Sequence, residues 1–186
     1  MIPYGRQEVT QADLDEVLEV LTSDFLTQGP KGLLFEEKVA QYCDSKFAVS
    51  VNSATSALHI ACKALGLREG EHIWTTPITF VASANCALYC GASFELIDID
   101  PVTFNICPDK LAERLRLAKK EASLPRILIA VHMAGQPCDM ERIYRLCSEY
   151  GVSVIEDASH AIGARYSGRP VGCCEHSEIT VFSFHP

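Results

Sequence analysis

The apolar positions of this chain change period along its length. Leu14, Val17, Leu18 and Leu21 recur at the three-and-four spacing of one helical face. Thr10-Gln11-Ala12-Asp13, just ahead of them, resembles a capping box with aspartate where glutamate is usual. Thr27-Gln28-Gly29-Pro30 then breaks the chain, and a second helix is predicted over residues 33–43. From there short runs rich in Val and Ile alternate with helical stretches. Strands are predicted over residues 47–51, 72–75, 93–97, 126–131 and 153–156, and a last one over 178–183. The helices between them fall at about 56–65, 81–89, 110–119 and 139–150, and Gly168-Arg169-Pro170 marks a late turn. Short strands separated by helices are the pattern of βαβ crossovers. The expected fold is a three-layer α/β/α domain with a mainly parallel sheet, without internal repeats or a boundary linker.

Composition narrows the class of function. Residues of the AVILMFWYC set make up 48% of the 186 positions and charged residues 22%, the balance of a globular chain with a sizeable core. Sixteen Lys and Arg against 24 Asp and Glu leave a formal charge of −8, which argues against nucleic acid or an anionic membrane surface as partner. No apolar run approaches the roughly eighteen residues that span a bilayer. Met1-Ile2-Pro3-Tyr4-Gly5-Arg6 does not read as a signal peptide. The expected location is therefore cytoplasmic. Nine cysteines, with no CxxC pair and no zinc-like histidine spacing, predict no metal site. Cys62, Cys86, Cys90 and Cys147 sit in apolar helical patterns, where a reduced thiol serves as a small hydrophobe.

In open α/β sheets ligands bind beyond the carboxyl ends of the strands, so the residues following each strand are the ones to read. Asn52-Ser53-Ala54-Thr55-Ser56 places small hydroxylated residues before an apolar helix. It reads as a phosphate cradle or as a plain N-cap, and taken alone the cap is the simpler reading. Neither GxGxxG nor GxxxxGK[ST] is present, which removes the main support for dinucleotide or P-loop chemistry. Asp157 follows an apolar run, with His160 three positions on. It either caps the next turn or holds a protonated heteroaromatic nitrogen. Phe80 reads as core or as a stacking platform, and His132 as a hydrogen-bonded structural histidine.

Six stretches in series resemble one family. They are Thr27-Gln28-Gly29-Pro30, Asn52-Ser53-Ala54-Thr55-Ser56-Ala57-Leu58, Thr76-Pro77-Ile78-Thr79-Phe80-Val81-Ala82, Val131-His132-Met133-Ala134-Gly135-Gln136, Glu156-Asp157-Ala158-Ser159-His160-Ala161 and Phe182-Ser183-Phe184-His185-Pro186. In order and wording they resemble the DegT/DnrJ/EryC1/StrS sugar aminotransferases, pyridoxal 5′-phosphate enzymes with the aspartate aminotransferase fold. The resemblance implies that residues 1–186 are an N-terminal segment plus most of the cofactor-binding large domain, without the small C-terminal domain.

The family resemblance implies a homodimer that takes an amino group from glutamate. Within the family the wording of residues 52–58, 75–82 and 182–186 resembles members of pseudaminic acid biosynthesis, which implies transfer to C4 of a UDP-linked 4-keto-6-deoxy-N-acetylhexosamine. Carried over by position, Ala54 and Thr55 bind the cofactor phosphate with help from Ser183, Phe80 stacks on the ring, Asp157 pairs with the ring nitrogen, and His160 lies beside the ring. Tyr4 and Asp24, Phe25, Leu26 and Thr27 border the sugar-nucleotide pocket. The lysine that bonds covalently to the cofactor in the family falls two residues beyond Pro186, and no lysine of this sequence matches its place. A non-catalytic truncated fragment or binding module, and a sugar dehydratase of the same fold, are the alternative expectations.

Overall fold

A computed structural model of the chain describes residues 7–185. Two helices, α1 (Gln11–Leu21) and α2 (Pro30–Cys43), precede the domain. The capping box at the start of α1 forms as expected: the Thr10 hydroxyl accepts from the Asp13 N–H, and the Asp13 carboxylate accepts from the Thr10 N–H at 2.7 Å. The Lys31 ammonium lies between Glu16 and Glu19, at 2.6 and 3.0 Å, and ties α2 to α1. The apolar stripe of α1 stays open, and none of its residues is buried.

The remaining elements alternate. They are α3 (Ala54–Ala64), β1 (His72–Thr75), α4 (Ala82–Leu88), β2 (Ser93–Leu96), α5 (Pro108–Glu121), β3 (Ile127–Val131), a 3-10 turn (Met133–Gly135), α6 (Met140–Tyr150), β4 (Ser153–Asp157), the short hairpin strands β5 (Arg165–Tyr166) and β6 (Arg169–Pro170), and β7 (Ile179–Val181). The main sheet has the order β2-β1-β3-β4-β7, and every pairing in it is parallel. Successive side chains of a strand face opposite sides, and the core divides accordingly. Ile73, Ile127, Ile129, Val131 and Ile155 pack against α3 and α4, whereas Trp74, Leu128, Ala130 and Val154 pack against α5 and α6. With both faces covered, the strands can be almost wholly apolar. On the second face the Arg114 guanidinium lies over the Trp74 ring, 5.3 Å from its centre, and is held there by both oxygens of Glu95. Among the described residues no helix is long and apolar enough to cross a membrane.

One predicted strand is absent. Residues 47–51 form no ladder, and Phe47 and Val49 are 76% and 80% exposed. A strand exists only where a neighbour takes its backbone groups. Here a side chain does so at one position: the Glu36 carboxylate accepts from both the N–H and the hydroxyl of Ser50, at 2.7 Å each.

The cysteines behave as the sequence suggests. Six of the nine are buried, and only Cys107, Cys173 and Cys174 are partly accessible. Burial pushes the Cys138 and Cys147 thiols up to about 12, so they stay protonated and unreactive. Titration of the native protein with an aromatic disulfide reagent is expected to modify Cys107, Cys173 and Cys174 quickly and the other six only after denaturation. Fast reaction of more than three thiols would contradict this burial.

Candidate active site

A parallel sheet gathers the carboxyl ends of its strands along one edge. Val131, Asp157 and Val181 are level in register across β3, β4 and β7. The His132 N–H donates to the Asp157 carbonyl at 3.0 Å, and the Ala158 N–H to the Val181 carbonyl at 2.8 Å. Alternation along β4 turns Asp157 to the same face as Ile155, toward α4. The Asp157 side chain is nearly buried and comes to rest beside Ser83.

Hydroxyl and amide donors surround this carboxylate. Ser83 Oγ donates to Oδ2 at 2.6 Å, while Ser159 Oγ and the Ser159 N–H donate to Oδ1 at 2.6 and 3.3 Å. A carboxylate offers about four acceptor positions. Three are taken, two on Oδ1 and one on Oδ2, which leaves one on Oδ2 for a further donor. The Ser83 hydroxyl is itself 2.7 Å from Thr79 Oγ1. Because the Ser83 hydrogen goes to Asp157, Thr79 is the donor in that contact.

Helix α3 brings an electropositive end to the same edge. Ser53 caps it by accepting from the Ser56 N–H, and Ala54 and Ala57 pack against the core cluster that contains Val131 and Val181. The N–H groups of Ala54 and Thr55 have no acceptor within the helix, and with the helix dipole they favour an anion. Phe80, on the loop from β1 to α4, is 72% exposed rather than part of the core. His160 is exposed, and its carbonyl packs so closely on Gly135, whose φ is +83°, that a Cβ there would sit 2.6 Å from the oxygen. Ser183 follows β7 partly buried, with its hydroxyl accepting from the His185 N–H at 3.2 Å. The end of α3, the Thr79–Ser83 loop and helix, Asp157 with His160, and Ser183 thus share the carboxyl edge.

Of the residues expected at a sugar-nucleotide pocket, four lie on the connection between α1 and α2. Asp24, Phe25, Leu26 and Thr27 are exposed. Phe25 and Leu26 line a cavity of about 420 Å³ that is closed by Glu19, Lys31 and Ser50 and shares no lining residue with the Asp157 edge. Tyr4 lies outside the described residues.

Sequence reasoning missed Ser83, Ser159 and Glu156, whereas His132 is the hydrogen-bonded structural histidine it expected. His132, fully buried, receives the Cys138 N–H on Nδ1 at 3.2 Å, which fixes its hydrogen on Nε2, and donates from there to Glu156 Oε2 at 2.7 Å. Ser177 and Thr180 donate to the other Glu156 oxygen, at 2.5 and 2.9 Å. Burial pushes the Glu156 carboxyl up, but the bonds from His132, Ser177 and Thr180 outweigh it and hold the group below the usual carboxylate range. No cluster of His, Cys, Asp and Glu among the described residues is arranged to hold a metal ion.

The sequence profile of the DegT/DnrJ/EryC1/StrS aminotransferase family matches residues 7–186. The chain belongs to that family. It is 41% identical over 186 residues to the UDP-4-amino-4,6-dideoxy-N-acetyl-β-L-altrosamine transaminase of Campylobacter jejuni, covering all of this chain and 48% of that protein. Among solved structures it resembles Helicobacter pylori PseC, an aminotransferase involved in the biosynthesis of pseudoaminic acid, with a TM-score of 0.88 at 34% identity, over 98% of this chain and 47% of that one. It also resembles the pyridoxal-phosphate form of the sugar aminotransferase Spr1654 of Streptococcus pneumoniae, with a TM-score of 0.87 at 27% identity, over 99% and 49%. The chain spans about half the length of the curated relatives it matches. DegT/DnrJ/EryC1/StrS aminotransferases depend on pyridoxal phosphate, and the family expected from the motifs is the one the chain belongs to.

Proposed function

We propose that this chain is the cofactor-binding part of a pyridoxal-phosphate-dependent aminotransferase that places an amino group on C4 of a UDP-linked 4-keto-6-deoxy-N-acetylhexosamine, in the making of pseudaminic acid. The observation that carries the reading is Asp157, a nearly buried carboxylate at the end of a central strand with one acceptor position left open. Asp157 caps the following turn through Oδ1, which accepts from the Ser159 N–H and hydroxyl, and the position left open on Oδ2 suits a protonated ring nitrogen.

The residues of the edge fit the cofactor. The N–H groups of Ala54 and Thr55, with the Ser183 hydroxyl, would hold its phosphate at the positive end of α3. Phe80 would cover one face of the ring, His160 would stand beside it, and Asp157 would keep the proton on the ring nitrogen. When bound, pyridoxal phosphate supplies an electron-withdrawing ring that stabilises negative charge beside the nitrogen being transferred. The sugar assignment is supported by the Campylobacter and Helicobacter relatives. Glutamate as amino donor, the homodimer and a cytoplasmic location follow from the family resemblance and the acidic composition. By the family resemblance, Asp24, Phe25, Leu26, Thr27 and Tyr4 would border the sugar-nucleotide pocket.

Two measurements check this in turn. Calorimetric titration with pyridoxamine 5′-phosphate is expected to show one saturable site per chain, weakened by competing inorganic phosphate. In the whole enzyme, glutamate should then drive conversion of the UDP-4-keto sugar to its 4-amino form, read by mass spectrometry. Absence of saturable binding removes the cofactor reading. Binding with an unchanged ketone removes only the transaminase reading.

A further inference from the structure

We infer that Ser83, backed by Thr79, is a positioning residue that sets which acceptor position of Asp157 is left for the ring nitrogen of the cofactor. The inference rests on the assignment of Asp157 proposed above and deepens it.

A serine inside a helix ordinarily turns its hydroxyl back to the carbonyl four residues earlier, or out to water. Ser83 does neither. It is fully buried in a helix whose other buried residues are Ala82, Ala84, Cys86 and Ala87, and in such surroundings an unpaired hydroxyl is costly. Its hydrogen goes to Asp157 Oδ2 at 2.6 Å. Its oxygen receives the hydroxyl of Thr79, four residues earlier, at 2.7 Å. The side chain at the preceding turn thus occupies the Ser83 oxygen and leaves its hydrogen to point at the carboxylate. Hydroxyls linked in this way polarise one another, which strengthens the bond to Asp157.

The Asp157 carboxylate is held from both sides. Ser159 fills Oδ1 with its N–H and its hydroxyl, and Ser83 takes one of the two positions on Oδ2. If Ser83 were lost, the carboxylate could turn about Cβ–Cγ on the Ser159 bonds alone, and Oδ2 would present two open positions in place of one. A ring nitrogen bonded to that oxygen would then meet a less ordered acceptor. A planar ligand anchored elsewhere by its phosphate cannot follow such a rotation, so the cost falls on the nitrogen bond.

The test compares two probes. One is pyridoxamine 5′-phosphate, and the other is its 1-deaza analogue, in which C–H replaces the ring nitrogen. Ser83→Ala is expected to weaken pyridoxamine phosphate about tenfold and to leave the deaza analogue within about twofold. Alanine is nearly isosteric and a better helix former, so the thermal midpoint should stay close to that of the parent. Thr79→Val, at a half-exposed position, should give the same pattern at about threefold and keeps the test open if Ser83→Ala does not fold. An equal loss for both probes would mean a merely structural role and overturn the inference. So would unchanged binding of pyridoxamine phosphate in both variants, with the Asp157 assignment left standing. If the parent chain binds both probes equally, the assignment of Asp157 fails and the inference falls with it.

Discussion

The Asp157→Asn substitution is expected to weaken pyridoxamine 5′-phosphate about a hundredfold, or roughly 2.7 kcal/mol at 1.36 kcal/mol per decade, while the fold survives. An asparagine side chain fits the same space but must place an NH2 where one carboxylate oxygen stood. The Ser159 N–H cannot turn away, so the amide oxygen faces Ser159 and the NH2 faces Ser83. The Ser83 hydroxyl is able to accept that hydrogen and pass its own to Thr79, so the local bonds are remade at a cost of about 1 kcal/mol. Charge is what cannot be remade. A neutral amide holds no proton on a heteroaromatic nitrogen, and the half-reaction with the keto sugar should fail in parallel with binding. Unchanged affinity in calorimetry would take Asp157 out of its proposed role.

The second large effect is on stability. Glu156→Gln is expected to cost about 2–3 kcal/mol at neutral pH, lowering the thermal midpoint by some 5–10 °C for a chain of this size. With the glutamine oxygen toward His132, its NH2 meets Ser177 and Thr180, whose hydrogens then need other acceptors. Turned the other way, the NH2 meets the Nε2 hydrogen of His132. Moving that hydrogen to Nδ1 would only bring it against the Cys138 N–H. The first arrangement leaves only long bonds, from Ser177 to Thr180 Oγ1 at 3.4 Å and from Thr180 to Cys174 Sγ at 3.5 Å, and the second sets two buried hydrogens against each other. The pH dependence has a definite sign, because the Glu156 carboxyl is held below its ordinary value in the folded protein. Its contribution is complete above the unfolded glutamate value of about 4.3 and is lost as pH falls through the lower folded value. Denaturant titrations of parent and variant should therefore differ most at neutral pH and converge under acid. A gap that stays constant down to pH 3 would show that Glu156 carries no ionised contribution.

What could be read in the sequence was what neighbouring residues decide among themselves. The capping box at Thr10, an N-cap before α3, the short apolar strands between helices and the carboxylate closing the run to Asp157 are local patterns, and the structure repeats them. Residues 47–51 misled for a related reason: alternation and β-branching describe a surface that suits a sheet, not the presence of a partner strand. Ser83 was invisible because its neighbours Val81, Ala82 and Ala84 describe only a buried helix. Glu156 was overlooked beside Asp157 because one register step sends adjacent strand residues to opposite faces, one toward α4 and the other toward His132. For Phe80 the residue type alone leaves core and stacking platform both open, and its place on the loop after β1, 72% exposed, excludes the core.

The bond between Ser83 and Asp157 joins residues 74 positions apart in the chain. Contacts of that span form late, because loop-closure entropy must be overcome before they contribute, and parallel sheets assemble slowly for the same reason. A ligand gripped at once by the end of α3 and by Asp157 recognises only a chain whose crossovers are all complete. Its binding is then counted in full toward the stability of the whole domain, rising with the logarithm of ligand concentration. Cofactor supply during synthesis would in this way act as a thermodynamic check on finished folding.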